Sequence, residues 1–190
     1  MSDCIEIRWH GRGGQGAVTA SELLAETALE EDKHFQAFPE YGPERMGAPV
    51  RAYTRISTGP IRQHCPITDP DVVVVLDPTL IGVVDVTDGL KEDGILVVNT
   101  HLSPADMRER LHMDGRRVFT VDASRIARDT IGRNTPNTAI LGALLKATEV
   151  VNRDDVITGI RNRLGPRVGA KTAEANVDAL NQAYQEAKEG

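Results

Sequence analysis

A strand, a glycine-rich turn and a helix follow one another at the start of this chain, and that order constrains it more than any other feature. Ile5, Ile7 and Trp9 alternate with Glu6 and Arg8, the period-two pattern of a strand. Gly11-Arg12-Gly13-Gly14-Gln15-Gly16 follows at once and fits G-x-G-x-x-G. Ala20, Leu23, Leu24, Thr27 and Ala28 then repeat at helical spacing, which predicts a helix over 17–31. Glycines permit positive φ and let a backbone approach a ligand closely. The free amides and dipole of the next helix favour an anion there. The pattern fits a phosphate-bearing ligand, and it fits a tight turn that packs closely or meets another protein.

The rest of the chain continues the α/β reading. Phe35 and Phe38 fit a short strand, and Val50 to Ser57 predicts another, whose Arg51 and Arg55 suggest a face on water or a partner. Between them, 39–49 holds three prolines and two glycines, which excludes a regular helix. Asp71-Val72-Val73-Val74-Val75-Leu76-Asp77 is a continuous β-branched run, as expected of a parallel strand covered on both faces. Ile95–Val98 and Val118–Val121 predict further strands, with a crossover over 79–90 too rich in β-branched residues for a long helix. Ser103-Pro104 predicts a capped helix to about Met113, and 124–131 a short one. Asn137 is the expected cap of a helix over 138–148. Asn152 or Asp154 starts another short helix, and 171–188 predicts a surface helix, with no strand after Thr138.

The expected fold is therefore α/β and Rossmann-like, a mostly parallel sheet with flanking helices and a helical C-terminal part. One domain over 1–190 is expected, with a strand-containing core at about 4–133 and helices at about 134–190. At 190 residues and 40% hydrophobic content such a chain can bury one sizeable core.

Charge and composition narrow the function. There are 28 acidic and 22 basic residues, a net charge of −6, and the basic ones are dispersed, so a nucleic-acid partner is not expected. No run approaches the roughly 20 apolar residues of a membrane span. Met1-Ser2-Asp3-Cys4 leads straight into the first strand, so no secretory leader is expected and the chain should be cytoplasmic. Cys4 and Cys65 are the two cysteines; nothing demands a disulfide between them, and two cannot ligate a four-cysteine iron–sulfur cluster. No Gly-Asp-Gly thiamine diphosphate motif occurs, nor compact zinc-type spacing among His10, His34, His64, His101 and His112. His64 beside Cys65 is no dyad by adjacency alone. His10 either faces a ligand at the glycine loop or is a satisfied histidine at a strand end. For a dinucleotide, the ribose-binding acid should close the second strand; Glu30, Glu31 and Asp32 are near that distance but fall at the predicted helix end.

The glycine loop with Thr19-Ala20, the segment from Phe38-Pro39-Glu40-Tyr41-Gly42-Pro43-Glu44-Arg45-Met46-Gly47-Ala48-Pro49-Val50, and Asn134-Thr135-Pro136-Asn137-Thr138 with Leu141-Gly142 together resemble three signatures of one family. This is the gamma subunit of pyruvate and other 2-oxoacid:ferredoxin oxidoreductases. The resemblance runs from Ile5 to about Tyr184, and departs where the family often has a second glycine and this chain has Ala48. It implies a non-thiamine-binding, non-cluster-binding subunit of an enzyme that oxidatively decarboxylates a 2-oxoacid to an acyl-CoA. Thiamine diphosphate, Mg2+ and [4Fe-4S] clusters are expected on partner subunits of alpha, beta and delta type. An additional flavoprotein subunit is expected where NAD is the final acceptor. Gly11, Arg12, Gly13, Gly14, Gln15, Gly16 and Thr19 would form a loop for coenzyme A or a partner. Tyr41, Glu44 and Arg45 would lie at a subunit junction or channel mouth, or Glu44 and Arg45 would pair within their loop. No catalytic or metal-binding residue is expected on this chain. A free-standing dinucleotide-binding dehydrogenase and a purely structural scaffold are the alternatives. The resemblance does not choose among pyruvate, 2-oxoglutarate, branched-chain, arylpyruvate and phenylglyoxylate as substrate.

Overall fold

The computed structural model describes residues 4–40, 47–113 and 115–190. One seven-stranded sheet organises them, in the order β2-β3-β1-β4-β5-β6-β7. Its strands are β1 (Cys4–Arg12), β2 (His34–Glu40), β3 (Pro49–Ser57), β4 (Val72–Val75), β5 (Ile95–Asn99), β6 (Arg117–Val121) and β7 (Lys188–Glu189). The helices are α1 (Ala17–Glu30), α2 (Pro104–Leu111), α3 (Ala123–Ile131), α4 (Asn137–Thr148), α5 (Arg153–Val168) and α6 (Ala170–Glu186).

The sheet is mixed, which corrects the expectation of a mostly parallel one. β1–β4, β4–β5 and β5–β6 are parallel, whereas β1–β3, β2–β3 and β6–β7 are antiparallel. The chain leaves β1 through α1 and returns in β2, as a Rossmann opening would. It then turns back, and β3 inserts between β2 and β1, antiparallel to both. At the far edge the short β7 adds antiparallel to β6, so a strand does recur after the helices.

Most predicted elements stand, with shifts of physical origin. The crossover after β4 is a short 3-10 turn at Pro78–Leu80 followed by irregular chain. Ser103 caps α2 through a capping box with Asp106, but the helix stops at Leu111 because His112 turns left-handed at φ 50°. α5 has 16 residues and is not short, with Pro166 in its last turn. α4 begins at Asn137 itself, with Pro136 at the capping position and no side-chain cap bond.

Two apolar layers flank the sheet. The larger joins Ile7, Trp9, Val74 and Phe119 to α1, α3, α4 and α6. The smaller joins Val73, Val75, Leu96 and Val98 to Leu80, Leu90 and Met107. α4 and α6 pack backbone to backbone at Gly142, where a Cβ would lie 2.1 Å from the Leu180 carbonyl oxygen. Among the described residues no helix is long and apolar enough to cross a membrane.

Candidate functional site

The glycine loop lies at the carboxyl ends of β1 and β4, where the sheet's connections diverge, the usual ligand crevice of such sheets. Gly14 and Gly16 have φ of 95° and 82°, backbone states that side chains rarely adopt. Gly14 is exposed with open space beside it. Gly16 ends the loop against α4, and a Cβ there would lie 2.6 Å from Asn137 Nδ2. The third sequence signature therefore closes directly onto the first. The loop is also tied to the second: the Gly13 amide donates to the Ala48 carbonyl at 3.0 Å.

Two predicted ligand-loop residues instead hold the loop itself. Gln15 Oε1 accepts from the Arg12 amide at 2.8 Å, and Gln15 Nε2 donates to Asp77 Oδ2 at 2.7 Å. The Arg12 guanidinium lies 3.3 Å from the same carboxylate and donates to Thr79 Oγ1 and the Gly47 carbonyl. Thr79 returns its amide and hydroxyl to Asp77 Oδ1 at 2.9 and 2.6 Å. Burial pushes the Asp77 carboxyl up. The hydrogen bonds from Thr79 and Gln15 and the Arg12 charge outweigh that push, leaving its pKa lowered. In the sequence Asp77 stands only as the acid after the valine run, and nothing local marks its bonds to Gln15, Arg12 and Thr79.

Thr19 has a different position. It lines a cavity of about 500 Å³ between α1, α4, α5 and α6, together with Arg133, Asn137, Thr138, Arg163 and Asn176 over an apolar floor that includes Leu23 and Leu141. No acidic side chain lines it among the described residues. α1, α4 and α6 all begin beside it without a side-chain cap and without an acid in the first turn. Their first amides have no acceptor within their own helices. Buried Thr138 donates to Asn176 Oδ1 at 2.9 Å, and Asn176 donates to the Thr172 carbonyl at 2.7 Å. Arg163 donates to Glu22 at 2.6 Å, while its Nη1 lies 2.8 Å from Glu26 without hydrogen-bond geometry. Sequence periodicity marks these as helix residues and gives no sign that they share a cavity.

The remaining predicted residues separate. Tyr41, Glu44 and Arg45 lie outside the described residues. Arg55 is not on an open face: it is buried and pairs with Glu6 at 2.7 Å. Glu30 ends α1, and Glu31 accepts from Lys33 and from the Asn152 amide, so this acid run caps and braces a helix end. The acid that does end β2 is Glu40, which accepts from the Tyr53 hydroxyl. Cys4 and Cys65 are free thiols. Among the described residues no group of three or more His, Cys, Asp or Glu side chains is placed to hold a metal ion.

A seven-stranded mixed sheet with a glycine loop at its central crevice and a donor-rich cavity beside it defines an α/β fold of Rossmann-like opening. The family of pyruvate ferredoxin/flavodoxin oxidoreductases matches residues 6–186, and the chain belongs to it. It is similar to the pyruvate/ketoisovalerate oxidoreductases common subunit gamma of Pyrococcus abyssi, 52% identical over 94% of this chain and 96% of that one. It is 46% identical to pyruvate synthase subunit PorC of Thermotoga maritima, over 97% of this chain and 95% of that one. The crystal structure of the pyruvate oxidoreductase subunit PORC from Thermotoga maritima superposes with a TM-score of 0.86, at 42% identity and 98% coverage of both chains.

Proposed function

We propose that this chain is the gamma subunit of a cytoplasmic, multisubunit 2-oxoacid:acceptor oxidoreductase, and that it contacts coenzyme A while its partners carry the redox chemistry. In this reading residues 1–190 act as one domain. Alpha, beta and delta-type subunits hold thiamine diphosphate, Mg2+ and [4Fe-4S] clusters, and the acyl group leaves as an acyl-CoA. The chain is inactive alone.

The observation that carries the coenzyme role is the acid-free cavity at the starts of α1, α4 and α6. Its volume of about 500 Å³ suits part of a phosphate-bearing cofactor with an apolar arm. Unpaired helix amides, Thr19, Asn137 and Arg133 supply donors, and Leu23 and Leu141 supply apolar floor. Gly11, Gly13, Gly14 and Gly16 shape the approach. Arg12 and Gln15 act one step back, by fixing the loop to Asp77. A free-standing dinucleotide enzyme is disfavoured, because Glu40, the acid that ends β2, is engaged by the Tyr53 hydroxyl.

Steady-state kinetics of the assembled oxidoreductase test this. Thr19→Val with Arg133→Ala should raise the KM for coenzyme A by about tenfold and leave the KM for the 2-oxoacid unchanged. An unmoved KM for coenzyme A removes the coenzyme role. Native purification without any thiamine-bearing partner removes the subunit role.

A further inference from the structure

On the sheet face opposite α1, three polar side chains stand in a row across three strands. Glu40 on β2 is directly opposite Arg51 on β3, which is directly opposite His10 on β1. His10 is 1% exposed. Its neighbour Arg8, also buried, donates from Nε to His10 Nε2 at 3.1 Å. Arg8 then donates to the carbonyls of Val86 and Asp88, which fixes the pair against the chain that follows β4.

That bond decides where the imidazole carries its proton. Burial, then the charges of Arg8 and Arg51, push the His10 pKa down to about 3 against a smaller opposing pull from Asp85, so the ring is neutral at physiological pH. A neutral ring whose Nε2 accepts a hydrogen bond has its proton on Nδ1. No described residue accepts from Nδ1. Among the described residues Arg163 Nη1 alone is a buried side-chain polar atom without a hydrogen-bond partner, so Nδ1 is not sealed off but reaches the space beside the ring. A cavity of about 320 Å³ opens here, lined by His10, Arg51 and Glu40 and by Val50, Leu80 and Val84.

The donors and acceptors in this cavity are unevenly engaged. Glu40 already accepts from the Tyr53 hydroxyl. Arg51 is held only loosely, 3.8 Å from Glu40, and is 43% exposed. At the His10 ring, the fields of Arg8 and Arg51 outweigh that of Asp85. The unmet demand is thus for an acceptor at Nδ1, beside an Arg51 guanidinium that Glu40 meets only at 3.8 Å. Val50, Leu80 and Val84 give the cavity an apolar wall that suits a protein side chain better than a free ion, and Val83, next to Val84, is 64% exposed.

We propose that this cavity is a socket for a carboxylate side chain of an adjacent subunit, held by the His10 Nδ1–H and the Arg51 guanidinium, with Val83 packing at its lip. The proposal rests on the subunit reading above and adds a docking face remote from the coenzyme cavity.

Subunit affinity in the whole oxidoreductase tests it, measured as dissociation on dilution by mass photometry. Arg51→Gln should weaken retention of the partner by about tenfold and Arg51→Glu by about a hundredfold, since reversal adds repulsion to a lost contact. Val83→Asp, on an exposed side chain, should also weaken it by about tenfold. Thermal unfolding of the variant chain alone should match wild type; if an Arg51 variant unfolds early, Val83→Asp decides. Wild-type affinity in Arg51→Glu or, in that event, in Val83→Asp overturns the socket while the subunit reading stands. Equal losses for Arg51→Gln and Arg51→Glu overturn the carboxylate. A wild-type chain that retains no partner overturns both the socket and the subunit reading.

Discussion

The two halves of the sheet satisfy their outer faces by opposite means. β4, β5 and β6 are apolar on both sides: Val72 and Val74 face one layer, and Val73, Val75, Leu96 and Val98 face the other. β2, β3 and β1 are mainly apolar toward α1 and mainly polar on the other side. Their other side carries three cross-strand rows: Glu40–Arg51–His10, Phe38–Tyr53–Arg8 and Gln36–Arg55–Glu6. Arg8, His10, Tyr53 and Arg55 in these rows are all buried. The parallel half is stabilised by many small, interchangeable contacts. The antiparallel half depends on specific partners, because a buried charge left alone is far costlier than a lost methyl group.

The sharpest way to break that contrast is to remove one partner from a charged row. Arg55→Leu strands the Glu6 carboxylate and should destabilise the chain by about 3–5 kcal/mol in urea unfolding. Adding Glu6→Leu should restore most of the loss; a double variant as unstable as the single would mean that the pair is not what the row depends on. The matching change in the apolar half is Leu96→Ala, at a fully buried position. It should cost about 2–4 kcal/mol, and truncating a second apolar residue should add to the loss, not relieve it.

Acid should separate the halves as well. His10 stays neutral in the folded chain down to a pKa of about 3, whereas its ordinary value is 6.5. Between those values the unfolded chain binds the extra proton, so stability falls as pH drops from about 6.5 toward 3. The expected slope is on the order of 1 kcal/mol per pH unit, and His10→Gln should flatten it. A slope unchanged by that substitution would assign the acid sensitivity elsewhere. The smallest effect lies at the seam between the halves. Gly16→Ala meets both a φ of 82° and the Asn137 side chain, and should cost about 1–2 kcal/mol by thermal unfolding. Asn137→Ala should relieve only the steric part.

Much of this contrast was legible in the sequence. The unbroken valines of β4 mark a strand covered on both faces, and the alternation of Ile5, Ile7 and Trp9 with Glu6 and Arg8 marks one whose two faces differ. What the alternation could not disclose was direction. The glycine-loop unit points to a mostly parallel sheet, but β3 inserts between β2 and β1 antiparallel to both, an order that no local pattern encodes. Arg55 looked solvent-facing because arginine usually is; its partner Glu6 is 49 residues away. The same distance problem hid the cavity between α1, α4, α5 and α6, whose Thr19, Asn137 and Asn176 come from three separate helices. Arg12 and Gln15 read from the sequence as parts of the glycine pattern, but the acid that turns them inward, Asp77, caps the 3-10 turn after a different strand.

With only a hydrogen on the Cα of Gly142, α4 and α6 mesh without slack, and α4 begins where Asn137 presses on Gly16. A push on α6 from a neighbouring chain would therefore not be absorbed between the helices. It would be carried along the first turns of α4, from Gly142 to Asn137, and reach the glycine loop at Gly16, so that the helix seam and the loop shift together.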